Sequence, residues 1–445
     1  MPYAEMEYTT KLKLTLITAK AKDQPKLKFT SLMHLLNVEY LRECFVELQN
    51  HKAPGIDRRT KESYSAAEIA TALAQTVADL KAHTYRPQPV RRVFIPKANG
   101  AMRPLGIPTV MDKTLQLAAA KILEPLFEPL FLNMSYGFRP HRNAHDALKA
   151  FNHMVMGQKM NWVIDADIKA FFDNVNHDWP MKCLEQRISD PNFLWLIRRF
   201  LKAGVMNGRI CESTVHGTPQ VGIISPILAN IYLHYVLDLW FEKKLKPALR
   251  GYAGIVRYAD DFVIGAQHRQ EADRVLKGIR ERCAQFGLTL AEDKTRILEF
   301  GRFAAENASR RGRSKPGTFT FLGFTHYCSQ TRDGRFAHKV ATDRKKFTAS
   351  LQRQKVWLKS VRNRLKLAAI WKTLVVKIQG HYQYYGVSGN FDGIRSYYQE
   401  TERQAYKWLN RRSQKRTWNW DSFRNYLERY PLPRPKLAYA FYNTW

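Results

Sequence analysis

Two short acidic groups stand inside apolar runs of this chain. RYADDFVIG (257–265) carries Asp260 and Asp261 between segments that read as the two strands of a hairpin. NWVIDADIKAFFDNV (161–175) carries Asp165, Asp167 and Asp173, and strand alternation puts Asp165 and Asp167 on one face. Adjacent carboxylates at the tip of an apolar hairpin are costly to hold in place unless a cation uses them. Carboxylate oxygens are the hard ligands that Mg²⁺ prefers. A set of them drawn from two strands suits two-metal phosphoryl transfer, with ions about 3.5–4 Å apart.

The elements that would position these carboxylates alternate. Strands are expected at 91–96, 161–167, 253–257 and 261–265, and helices at 35–50, 65–82, 113–129, 143–157 and 225–248. This mixing, without a strict βαβ repeat, predicts an α+β fold. RFAAENASRRGRSKPG (302–317) is polar, basic and closed by Pro-Gly, and reads as a loop; FTFLGFTHY, beginning at 319, reads as a strand pair. From 343 to 380 the pattern is helical, with Leu367, Ile370, Leu374 and Ile378 on one face, and a further helix is expected at 391–411.

Charge and composition narrow the partner. The 445 residues carry a formal charge of +33 with 45% apolar content, so the chain can build full cores yet repels itself when compact. A polyphosphate is the default user of such charge. Residues 301–445 hold 30 Lys and Arg against 8 Asp and Glu, a net +22 of the total, together with interleaved Trp and Tyr. Cations for phosphates and flat rings for bases are what a nucleic-acid surface needs. The five cysteines lie far apart without zinc-ligand spacing, which speaks against a disulfide framework or structural zinc and fits a reducing cytoplasm. No apolar run approaches membrane-spanning length and the N-terminus lacks a secretory pattern, so no membrane partner is expected.

Taken in order, the motifs resemble the reverse transcriptases, and most closely the group II intron-encoded ones without an H-N-H endonuclease, similar to group IIC members. NHKAPGIDRRT (50–60) is similar to the family's N-terminal extension motif, RRVFIPKANGAMRPLGIPTVMDK (91–113) to the first fingers motif and LEPLFEPLFLNMSYGFRPHRNAHDAL (123–148) to the second. DADIKAFFDNVNH (165–177), HGTPQVGIISPILANIYL (216–233), YADD (258–261) and FGLTLAEDKTRIL (286–298) resemble palm motifs A to D. FTFLGF (319–324) resembles the primer grip. HYQYYGVSGN (381–390) and WLNRRSQKRTWNW (408–420) resemble the maturase or thumb domain.

The resemblance implies a right-hand polymerase of the α+β class, with fingers, a palm built on an antiparallel sheet, and an α-helical thumb/maturase domain. The expected division is an N-terminal extension (1–60), fingers (61–160), palm (161–325, interleaved with fingers near 178–230) and a basic thumb (326–445). Two Mg²⁺ ions would be held by Asp167, Asp260 and Asp261 with Ile168, and Lys294 would be general acid toward pyrophosphate. Lys97, Arg103, Ile168, Phe172, Gln220 and Tyr258 would contact the nucleotide, Phe172 as the gate that excludes a 2′-OH. Arg139, Arg411, Arg412, Lys415 and Arg416 would contact nucleic acid. One departure is Val221 before Gly222, where the family has Gly-Gly. The implied activity is RNA-directed DNA synthesis from dNTPs on a DNA primer, with intron RNA as template and as the substrate of splicing assistance. A domesticated polymerase serving repair or defence, and an RNA chaperone without synthesis, are the alternatives. The intact acidic set argues against the chaperone.

Overall fold

The computed structural model describes residues 2–96, 102–171, 175–207, 210–212, 222–412 and 418–441. It divides into two compact units, one of residues 1–147, 166–264 and 270–296, the other of 148–165, 265–269 and 297–445. No helix among the described residues is long and apolar enough to cross a membrane.

The first unit is built around the helix Val110–Phe127. Thr109 caps its start, its side chain accepting from the Asp112 N–H. Leu115, Ala118, Ala119, Ile122, Leu123, Leu126 and Phe127 are all at most 1% exposed, so the helix is apolar on nearly every side and sits in the core. The helix Pro191–Leu201 starts with Pro at its first position behind Asp190, whose carboxylate accepts from the Asn192 and Phe193 N–H groups and also from Leu32 and Met33 at 2.6 and 2.9 Å. Strands β1 (Val90–Pro96) and β2 (Met102–Ile107) form an antiparallel hairpin. With β4 (Val205–Asn207) and β5 (Ile210–Glu212) they make a sheet of order β2-β1-β4-β5. Pro104 lies in β2, an edge strand, where a missing N–H does no harm.

An N-terminal helix, Pro2–Asp23, lies outside the expected elements. Arg187 closes its end: the guanidinium, 1% exposed, donates to Ala21 O at 3.0 Å and Gln24 O at 2.9 Å. The expected helix over 225–248 begins as one, Ser225–Leu233, then widens into π-helical turns at His234–Asp238 and Phe241–Leu245.

A sheet of order β6-β7-β3-β8 carries the acidic motifs, with β3 at Trp162–Asp167, β6 at Ala253–Tyr258, β7 at Asp261–Ala266 and β8 at Arg296–Glu299. In β3, Val163, Ile164 and Ala166 are buried while Asp165 and Asp167 are half-buried.

In the second unit the expected strand pair is present and gains a third member: β9 (Phe319–Phe321), β10 (Phe324–Gln330) and β11 (Phe336–Thr342), antiparallel in the order β11-β10-β9. His326 and His338 face each other in this sheet, fully buried and parallel, Nδ1 to Nε2 3.0 Å, and His338 Nδ1 lies 2.8 Å from Asn152 Oδ1. The segment 302–317, expected as a loop, contains the helix Ala304–Arg310. Buried Ala304 and Ala308 and a Glu306–Arg310 pair one turn apart favour it.

Among the described residues four helices complete this unit: Arg344–Val361, Leu367–Tyr385, Phe391–Leu409 and Trp420–Arg429. Ile370, Leu374 and Ile378 are fully buried and Leu367 packs against the same cluster, which includes Leu358, Ile394 and Phe423. The helical stretch from 343 breaks at 362–366, where Arg362, Arg364 and Lys366 crowd one turn and the Leu365 carbonyl accepts from Arg412.

Candidate active site

Asp167 ends β3, and the chain beyond it pairs with the segment 289–291. Ala291 N–H donates to Asp167 O and Lys169 N–H to Thr289 O, both at 2.8 Å, around a bridge between Ile168 and Leu290. Those two bonds belong to the residues flanking Ile168, so its own carbonyl is not spent in the bridge, while its side chain is buried at 3% exposure. The turn after Leu290, closed by Lys294 N–H to Ala291 O at 2.9 Å, carries Lys294 back over the strand end. Its ammonium donates to Asp167 Oδ2 at 2.5 Å. That carboxylate's hydrogen bond holds the Lys294 ammonium above its ordinary pKa, with Asp293 and Asp261 adding to the attraction.

Asp260 and Asp261 lie at the turn between β6 and β7, both half-buried. The turn uses Ala259 in the left-handed region, φ 58°. Gly137 explains how the turn is seated. A Cβ there would stand 2.4 Å from Ala259 N and 3.0 Å from the Tyr258 carbonyl carbon, so only glycine lets this backbone approach. Phe138, next along, is 56% exposed, with its ring 6.5 Å from that of Tyr258. Tyr258 is half-buried.

The other expected contacts divide. Arg103 pairs through its backbone with Ile95 in the β1–β2 hairpin, and its side chain lies outside the described residues, as do Lys97, Phe172, Gln220, Val221, Lys415 and Arg416. Gly222 is described: a Cβ there would meet Ser225 Oγ at 2.9 Å and Gln116 Oε1 at 3.0 Å. Arg139, expected at the nucleic-acid surface, is instead buried. Its guanidinium, 3% exposed, pairs with Glu128 at 2.7 Å and donates to the Leu132 and Ser135 carbonyls, so it shapes the 128–139 turn. Arg411 is exposed beside Trp408, and Arg412 donates to Leu365 O at 3.1 Å.

Gly137 and the buried Arg257 were not singled out from the sequence. The Gly in Y-G-F and the Arg before Y-A-D-D were visible, but nothing local said that they meet. Among the described residues no three His, Cys, Asp or Glu side chains form a preformed metal centre. The donor set nonetheless fits a hard divalent cation: every candidate ligand is a carboxylate or carbonyl oxygen, and Asp167 already attracts a cation, the Lys294 ammonium.

Residues 95–326 match the reverse transcriptase (RNA-dependent DNA polymerase) family. Protein YkfC of Escherichia coli (strain K12) is 34% identical over 321 residues, covering 62% of this chain and 81% of that protein. Group II intron-encoded protein LtrA of Lactococcus lactis subsp. cremoris is 40% identical over 217 residues, 48% of this chain but only 35% of LtrA. Nuclear intron maturase 4, mitochondrial, of Arabidopsis thaliana is 26% identical over 237 residues, 52% of this chain and 28% of the maturase. The chain belongs to the reverse transcriptase (RNA-dependent DNA polymerase) family.

Proposed function

We propose that the chain binds structured group II intron RNA, assists its splicing, and copies it into cDNA by extending a DNA primer with dNTPs, in the cytoplasm. The observation that carries the polymerase reading is the meeting of Asp167 with Lys294 on the sheet whose neighbouring hairpin bears Asp260 and Asp261.

Asp167, Asp260 and Asp261, with the Ile168 carbonyl, would hold two Mg²⁺ ions. When bound, these supply acidification of the primer 3′-OH and neutralisation of the triphosphate. Lys97 and Arg103 would grip the triphosphate, Phe172 would stand under the sugar and Gln220 and Tyr258 beside the nucleotide. Lys294, released from Asp167 when that carboxylate takes a metal, would deliver its proton to the leaving pyrophosphate.

Residues 1–60, 61–160, 161–325 and 326–445 would act as N-terminal extension, fingers, palm and thumb. Support for RNA binding by the thumb comes from Trp408. Lys359, Arg362, Lys407 and Arg411 stand 4.7, 5.4, 5.9 and 5.1 Å from its ring centroid. None of the four forms an ion pair among the described residues. Four uncompensated cations around one ring repel each other, and a phosphate backbone relieves that repulsion.

The test is primer extension on an RNA template with Asp260→Ala. Synthesis should be abolished while RNA affinity is retained; synthesis that survives would overturn the metal assignment.

A further inference from the structure

The turn that carries Asp260 and Asp261 is tied to a buried polar network. Arg257, the last residue but one of β6, is fully buried, as are Asp238 and Asn230. Its Nε and Nη2 donate to the two oxygens of Asp238 at 2.8 and 2.5 Å. Its Nη1 donates to Asn230 Oδ1 at 3.1 Å and to Ala259 O at 3.0 Å. Asn230 Nδ2 in turn donates to Gly137 O at 2.7 Å, the residue packed against the Ala259 backbone. Arg257 N–H donates to Met134 O, and Tyr136 N–H donates to Arg257 O, both at 2.8 Å. One guanidinium thus joins the 134–137 segment, the helix Ser225–Leu233 and the π-helical turn His234–Asp238 to the carbonyl one residue before Asp260.

A buried ion pair is poor evidence of a stability role, because apolar groups of the same volume commonly do as well. What apolar groups could not do is direct a hydrogen bond at Ala259 O. Ala259 holds a left-handed conformation that L-residues adopt only when their surroundings over-determine it. The fork of Arg257 supplies that determination: two donors fix it on Asp238 and the third aims at the turn.

We propose that Arg257, oriented by Asp238 and Asn230, is a positioning residue that holds the Ala259 turn in its left-handed form and so sets the directions of the Asp260 and Asp261 carboxylates for metal binding. This rests on the polymerase reading above.

The test is Arg257→Lys in the full chain, which keeps the charge beside Asp238 but cannot span Asp238, Asn230 and Ala259 O from one nitrogen. Hydrogen exchange of the 259–261 amides should accelerate while the rest of the palm stays protected. The Mg²⁺ half-saturation of primer extension should rise roughly tenfold to a hundredfold, as for other groups that orient metal ligands. The RNA affinity should stay near wild type, while the thermal midpoint should fall, because Lys leaves buried acceptors among Asp238, Asn230 and Ala259 O without donors; the exchange and Mg²⁺ readouts are taken well below that midpoint. Adding Ala259→Gly, which accepts a positive φ freely, should bring the Mg²⁺ midpoint partway back. Asn230→Ser removes only the Nη1 anchor and the tie to Gly137, and should shift the same two readouts in the same direction. Unchanged turn exchange with an unchanged Mg²⁺ midpoint in folded variants would overturn the proposal. So would a loss of protection spread evenly over the palm, which marks a structural role alone. A wild-type chain that extends no primer would instead overturn the polymerase reading.

Discussion

Gly137→Ala adds one methyl group where the structure has no room for it. The new Cβ would lie 2.4 Å from Ala259 N and 3.0 Å from the Tyr258 carbonyl carbon. Ordinary contact between such atoms begins near 3.5 Å, so the two backbones must part by about 1 Å. Gly137 does not use a positive φ, so the substitution carries no conformational penalty of its own and the effect is one of space. Overpacking of this kind costs about 1–3 kcal/mol of stability. The larger effect should fall on catalysis, since the displaced backbone leads directly into Asp260, and a misplacement of about 1 Å can cost a reaction on the order of a hundredfold in rate. Single-turnover primer extension on an RNA template, at saturating dNTP and Mg²⁺, reads that rate, and circular dichroism reads the folded fraction. The expected result is a rate about a hundredfold lower in a folded protein. A rate within a few-fold of wild type would refute the reasoning, as would a deficit that vanishes at temperatures where the variant is fully folded.

Lys294→Met should lower kcat by roughly a hundredfold or more through loss of a proton donor. It should not raise the Mg²⁺ half-saturation, because under the proposed assignment the ammonium would compete with the metal for the Asp167 carboxylate it now contacts; a raised midpoint would contradict that competition. Burial pushes His326 down to about 3, His234 and His381 to about 4, and His338 well below the usual imidazole range. Unfolding lets each take up a proton below its ordinary value near 6.5, so stability should fall as pH drops below about 6.5. The loss is about 1.4 kcal/mol per pH unit for each histidine, and a thermal midpoint that is flat between pH 7 and 5 would contradict it. RNA affinity should fall steeply with salt, and the double variant Lys359→Ala, Arg411→Ala should reduce the log–log salt slope by up to about 2; an unaltered slope would remove the Trp408 cluster from the RNA contact.

What could be read from the sequence was what repeats or adjoins along it. The 3.6-residue spacing of Ile370, Leu374 and Ile378 announced a buried helix face, and those three residues have no exposure at all. Asp260 and Asp261 announced a turn because adjacent charges cannot sit within an apolar strand. Hidden were pairings whose partners are far apart in sequence and selected by packing. Lys294 meets Asp167 across 127 positions and Asn152 meets His338 across 186. Arg139 misled for the same reason: an arginine in a basic motif reads as a phosphate ligand until Glu128 and two carbonyls are seen to occupy its donors. The N-terminal helix was missed because its order comes from outside it, from the Arg187 cap.

The π-helical turns after Leu233 make the length of this segment as informative as its side chains. A π turn holds one residue more than an α turn. Deleting any single residue between His234 and Asp238 would let the helix revert to the tighter form without breaking it. Asn230 and Asp238 are eight positions apart and would be about 80° out of line in a regular α-helix; the wider turn brings both to the same guanidinium. With one residue lost they would be seven apart, about 20° out of line in an α-helix and still on one face. One residue added in the α-helical part before His234 would instead turn Asn230 away from Arg257 by about 100°, so this stretch should tolerate a shortened π turn far better than an added codon before it.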